Sequence, residues 1–106
     1  MALQSEPHYE VVWPRSSLAV HKQTPAPRLD TLRGKRIGFL WDYLFRGHEL
    51  FPAIMEELRN RFTGVDFVGF EAFGNTHGGD EAIVMSALPH RLREHRIDAV
   101  ISGNGC

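Results

Sequence analysis

The stretch RIGFLWDYLFRGHELFPAIMEELRNRF, residues 36–62, decides the fold. Its first part, Ile37-Gly38-Phe39-Leu40-Trp41, is a short and nearly continuous apolar run, as expected of a strand buried on both faces. The second part changes period. Leu50, Phe51, Ile54, Met55, Leu58 and Phe62 recur at three- and four-residue spacing, with Glu56, Glu57, Arg59 and Asn60 between them. That is a single apolar stripe on an amphipathic helix. Pro52 is tolerated only near a helix start, so the helix is predicted to begin between Gly47 and Phe51.

The same alternation continues toward the C-terminus. Gly64 marks the helix exit, and Val65-Asp66-Phe67-Val68-Gly69-Phe70 reads as a second strand. Asp80 is a good N-cap for a second helix through Ala82, Ile83, Val84, Ala87, Leu88 and Leu92. Pro89 falls inside it and is expected to kink the helix or split it in two, because proline removes a backbone donor. Asp98-Ala99-Val100-Ile101-Ser102 is the third strand. Strand, helix, strand, helix, strand implies a parallel sheet with right-handed crossovers. The fold class is therefore α/β: a three-stranded parallel βαβαβ half of a doubly wound, flavodoxin-like sheet over residues 35–106. Such a half leaves sheet edges open and one face poorly covered. The expectation is that the chain continues into a second half, the alternative being cover from the N-terminal segment and a partner.

Residues 1–34 read as an extended arm. Tyr9-Glu10-Val11-Val12-Trp13 suits a short strand or an apolar strap, and Pro14, Pro25 and Pro27 suppress helix after it. No internal repeat or low-complexity tract is present.

Composition narrows the function classes. The 106 residues carry a formal net charge of −1, so no global field argues for nucleic acid or an anionic membrane. The cluster Arg33, Lys35, Arg36 reads as a solvated strand entrance rather than a phosphate patch. No apolar run approaches the roughly 20 residues of a membrane span, and MALQSEPHYE lacks the basic and apolar regions of a signal peptide. A single cysteine rules out an intrachain disulfide framework. These features point to the cytoplasm.

In an open parallel sheet, ligands gather at the carboxyl ends of the strands. Three strand-to-helix loops should share that rim: Asp42 to His48, Phe73 to Asp80, and Gly103 to Cys106. In the second loop, glycines at 74, 78 and 79 admit unusual backbone and expose N–H groups ahead of a helix. Asn75, Thr76 and His77 add side chains that donate, accept or shuttle protons. His77 is the best general acid/base candidate of the six histidines, whereas His90 and His95 sit among arginines and read as surface residues. The bland alternative for this loop is a polar turn closed by Asp80. Asp42 and Arg46 are candidate substrate-binding or orienting groups, although aspartate often serves only to close a turn. A carboxylate at that strand end could also fix the tautomer of His77. No spacing resembles a zinc motif, neither glycine loop matches a nucleotide fingerprint, and no cofactor is implied. Cys106 occupies a position where backbone N–H groups favour a thiolate, but its own terminal carboxylate opposes that.

Several segments together resemble the UGSC family of (seleno)proteins. They are Val11-Val12-Trp13-Pro14-Arg15, Leu32-Arg33-Gly34-Lys35-Arg36-Ile37-Gly38, Asp42-Tyr43-Leu44-Phe45-Arg46-Gly47, Glu71-Ala72-Phe73-Gly74-Asn75-Thr76-His77-Gly78, and Asp98-Ala99-Val100-Ile101-Ser102-Gly103. In that family a glycine-rich strand end like Gly103-Asn104-Gly105-Cys106 leads into a tetrad, selenocysteine or cysteine followed by Gly-Ser-Cys. The tetrad is absent from these residues. Because selenocysteine is encoded by UGA, the resemblance implies that residue 107 of the natural protein is selenocysteine and that this sequence is the part before it.

The implied activity is that of a thiol or selenol oxidoreductase acting on a small-molecule or thiol substrate, with the 106-residue chain itself inactive. Catalytic candidates are Cys106 and His77, and substrate-binding candidates are Asp42, Arg46, Asn75, Thr76, Gly103, Asn104 and Gly105. Two other readings stay open. One is a cysteine-dependent proton-transfer enzyme like the aspartate/glutamate racemases, which needs an anion-binding loop and a second cysteine on a pseudo-symmetric half. The other is a non-catalytic small-molecule-binding subunit, paired with a second copy or a covering partner chain.

Overall fold

Strand β1 (Arg36–Trp41) runs through the middle of a three-stranded parallel sheet, between β2 (Asp66–Val68) and β3 (Ala99–Gly103). The computed structural model describes residues 5–15 and 22–105. Helix α1 (Gly47–Arg61) joins β1 to β2, and α2 (Glu81–Glu94) joins β2 to β3. The order β2-β1-β3 matches the first three positions of the flavodoxin-like arrangement. Because the first crossover runs from β1 out to β2 and the second runs back past β1 to β3, the two move in opposite directions along the sheet, and the handedness rule sends the helices to opposite faces.

The packing follows from the pleat of β1. Ile37, Phe39 and Trp41 face α1 and form one core with Phe51 and Val65. Leu40 faces the other way, into a second core with Phe73 and Leu88. A strand buried on both faces must be apolar at successive positions, which is what the run at 37–41 supplies. The α1 side is mostly aromatic: Phe39 meets Phe51 at 4.9 Å between ring centroids and Trp41 meets Phe70 edge-on at 4.8 Å. The amino ends of the strands are tied by polar groups. Arg36 pairs with Asp66 at 3.0 Å and donates to the His95 carbonyl, while its backbone N–H donates to Asp98.

Several sequence expectations change in detail. The second strand covers only Asp66–Val68, because the chain turns into a 3-10 segment at Phe70–Ala72 that brings the Phe70 ring onto Trp41 and Phe51. Helix α2 runs through Pro89 as one element instead of splitting. Met85, whose carbonyl the proline leaves without a helical partner, is on the exposed side, where water can serve it. Asp80 does stand at the N-cap, but its backbone carbonyl, not its carboxylate, accepts the Ile83 and Val84 N–H groups. Leu50 leaves the apolar stripe and is half exposed, while Phe51 is buried. His95 is half buried, with its ring against Phe73 at 5.6 Å. Residues 5–15 and 22–31 carry no helix or strand and are exposed, and the chain reaches 86 Å along its longest axis. Tyr9 to Trp13 therefore form no strand here.

Interior proline costs about 3 kcal/mol in a helix relative to alanine. Pro89 is exposed, so Pro89→Ala should stabilise the protein by about 1–3 kcal/mol, read from the midpoint of urea unfolding. An unchanged or lowered midpoint would mean that the ring has a packing role at that position.

Candidate functional site

The three loops do meet at the carboxyl end of the sheet, and backbone bonding explains how. Trp41 pairs with Gly103 across β1 and β3, and the next residue, Asp42, donates its N–H to the Gly103 carbonyl at 3.3 Å. On the other side of β1 the second loop returns. Asn75 forms an isolated parallel bridge with Trp41, and the Thr76 N–H donates to the Trp41 carbonyl at 3.1 Å. The end of β1 is thus held between Gly103 on one side and Asn75-Thr76 on the other.

The Asp42 side chain extends this arrangement. It is 6% exposed. One carboxylate oxygen accepts the Leu44 N–H at 3.1 Å, closing a turn, and the other accepts the Gly105 N–H at 2.6 Å. Bonds of this kind to a carboxylate are among the stronger hydrogen bonds in proteins. Both oxygens are therefore committed to backbone donors, and no hydrogen bond joins Asp42 to His77. The tautomer-fixing pair does not form. Asp42 holds the first and third loops together.

Close approach at this rim demands glycine. A Cβ on Gly103 would lie 2.6 Å from the Phe45 ring and 2.8 Å from Phe51. A Cβ on Gly47 would lie 2.7 Å from the Trp41 indole. Between them, Tyr43 takes a left-handed backbone (φ 63°), unusual for a bulky residue. Its ring stacks on Trp41 at 4.3 Å with a 17° tilt, which offsets part of that strain. Burial, and then the nearby Glu71 carboxylate, raise the Tyr43 pKa above the ordinary phenol value, so the hydroxyl stays protonated. The indole Nε1 of Trp41 is buried and has no hydrogen-bond partner among the described residues.

Above this floor lies an open cavity of ≈ 360 Å³ lined by Asp42, Leu44, Thr76, His77, Asn104 and Gly105. Five of these residues were singled out from the sequence. The His77 imidazole is mostly solvent-exposed, with Nδ1 3.9 Å from a Glu81 carboxylate oxygen, too far for a hydrogen bond. Its own backbone N–H donates to Asn75 Oδ1 at 2.9 Å, so Asn75 shapes the loop and does not line the cavity. Gly103 is the last residue of β3, under the rim. Arg46 is turned away: it pairs with Glu49 at 2.7 Å and borders a separate depression with Phe45, Leu50 and Ala53. Cys106 lies outside the described residues. Leu44 and Glu81 were not singled out; Glu81 carried one signal, its position four residues after His77 on a helix start. Among the described residues, no cluster of three potential metal ligands occurs and no helix is long and apolar enough to cross a membrane.

This geometry separates Asp42 from Arg46. Asp42→Ala leaves two backbone donors without their acceptor and should cost about 2–4 kcal/mol of stability. Arg46→Ala removes an exposed ion pair and should cost less than about 0.5 kcal/mol. Chemical denaturation of the two variants checks both, and equal losses would contradict the division of roles.

Comparison with known proteins bears on the whole of this rim. No curated protein and no solved structure matches the chain. The sequence pattern of one family, UGSC, matches over residues 10–106, from the exposed arm at Glu10 through all three loops of the site. Such a match takes in nearly all of the sequence, and on it the chain belongs to the UGSC family.

Proposed function

We propose that these residues form the substrate-binding rim of a thiol or selenol oxidoreductase. The reacting sulfur or selenium would be carried on the turn that begins at Gly103. The observation that carries this reading is the Asp42–Gly105 hydrogen bond of 2.6 Å. A turn held that firmly, beside a cavity that also contains His77 and Thr76, suits a nucleophile that must meet a bound substrate in fixed geometry.

The resemblance implies a selenocysteine or cysteine followed by Gly-Ser-Cys beyond this turn. The attacking chalcogenolate would form a bond to one sulfur of a disulfide substrate. The other sulfur would leave as a thiolate and take a proton from His77. The second cysteine would then displace the bound half, leaving an oxidised pair to be reduced by a thiol. With one cysteine, the 106 residues hold no such pair and are expected to be inactive by themselves. The proton-transfer alternative has less support, because none of the described residues lining the cavity is an arginine or lysine that would hold a substrate carboxylate.

The test is to read the coding sequence past codon 106 and to assay the product with small disulfides. The reading predicts an in-frame TGA or cysteine codon, then Gly-Ser-Cys, and disulfide reduction that falls about a hundredfold or more in His77→Ala. A TAA or TAG codon with no open frame beyond it, or full activity without His77, would overturn it.

A further inference from the structure

The N-terminal arm leaves a row of large apolar side chains in water. Tyr9, Val11, Val12 and Trp13 are between 77% and 92% exposed, and residues 10–15 fall within the family pattern. Alternate side chains of an extended segment share a side, so Tyr9, Val11 and Trp13 form one apolar face. The Arg15 guanidinium lies 5.9 Å from the centroid of the Trp13 ring, within cation–π reach, and brings a charge to the end of that face. Contiguous exposed apolar surface marks an interaction site, whereas single exposed side chains do not.

The body offers a matching hollow. Beside the start of α1, Phe45, Leu50 and Ala53 give an apolar lining to an open depression of ≈ 380 Å³, with Arg46 and Glu49 as its charged members. These two pair with each other at 2.7 Å, and His48 stands 3.8 Å from the same carboxylate, so the rim holds no net negative or unpaired positive charge against Arg15. The other exposed apolar residues of the body are scattered. Ile83 and Met85 are two apart on α2, a spacing that does not share a helix face, and Val100 is on β3.

We propose that the arm of a second copy of this chain places Trp13 in the hollow, and that the exchange is mutual, giving a symmetric dimer. Pro25 and Pro27 hold the joining stretch extended, and the chain measures 86 Å against 35 and 26 Å on its other axes, so the arm projects away from its own body. The area suits a dimer. Tyr9 and Trp13 from two arms bury on the order of 600–1,000 Å² of ring surface. The receiving surfaces lose a comparable area, which brings the total to about the 1,200–2,000 Å² of a stable, specific complex. Trp, Tyr and Arg, the residue types at hand on the arm, are also those that dominate binding at interfaces.

The test uses a Cys106→Ser chain, which cannot dimerise through a disulfide. Sedimentation velocity should show a dimer that dissociates on dilution. Trp13→Ser, in an exposed segment, should raise the dissociation constant at least about tenfold, and Leu50→Gln on the receiving side should do the same. Ile83→Gln, outside the hollow, should leave it unchanged. Benzoylphenylalanine in place of Val11, in a mixture of heavy and light isotope-labelled copies, should cross-link heavy chains to light ones at residues 45–53. A monomer at every concentration overturns the proposal, as does a dimer indifferent to Trp13→Ser and Leu50→Gln. Cross-links confined within one copy would mean that the arm covers its own body, and cross-links to another element would mean that it binds elsewhere. Either result refutes the exchange.

Discussion

The rim depends on one buried carboxylate. The ladder between β1 and β3 ends at Trp41 and Gly103, and the chains would be free to part beyond that point. Asp42 prevents this. Its N–H donates to Gly103, and its two oxygens accept from Leu44 and Gly105. A buried acceptor with no partner is costly, as is a buried donor, so the carboxylate and its two backbone donors satisfy one another. They convert two loops from different parts of the chain into one wall of a cavity.

The aromatic core beneath sets the tolerances. Trp41 is met by Tyr43, Phe45, Phe51 and Phe70, and Phe45 also lies against Phe51. Large rings filling the space under the rim leave no room for side chains at positions 47 and 103, and both are glycine. Interiors packed at this density respond to added atoms by shifting their neighbours. A displacement of Gly103 would move Gly105 relative to Asp42. The core and the clamp are thus mechanically connected, and the shape of the cavity inherits the rigidity of both.

The architecture was readable in the sequence because β1 must be apolar on both faces and α1 on one. Those requirements write themselves as a continuous run at 37–41 and a stripe from Phe51 to Phe62. The three strand-end loops followed from parallel topology, and that topology brought Asp42, Thr76, His77, Asn104 and Gly105 to one cavity. What was hidden depended on pairings distant in sequence. Nothing local says that both Asp42 oxygens are taken by backbone donors, one of them 63 residues away. Phe70 reads as part of a strand until its contact with Trp41 is seen. Pro89 reads as a break until the solvent exposure of the turn around it is known. The arm at Tyr9 to Trp13 has strand-like composition without a strand beside it, so propensity alone could not decide its state.

The most direct measurement is amide hydrogen exchange at Gly105. If the Asp42 carboxylate holds the third loop, the Gly105 N–H should exchange at least about tenfold more slowly than that of Asn104, and Asp42→Asn should erase most of the difference. Equal exchange at the two amides in the unaltered protein would contradict the account. It would mean that the loop is not anchored and that the cavity is not a preformed site.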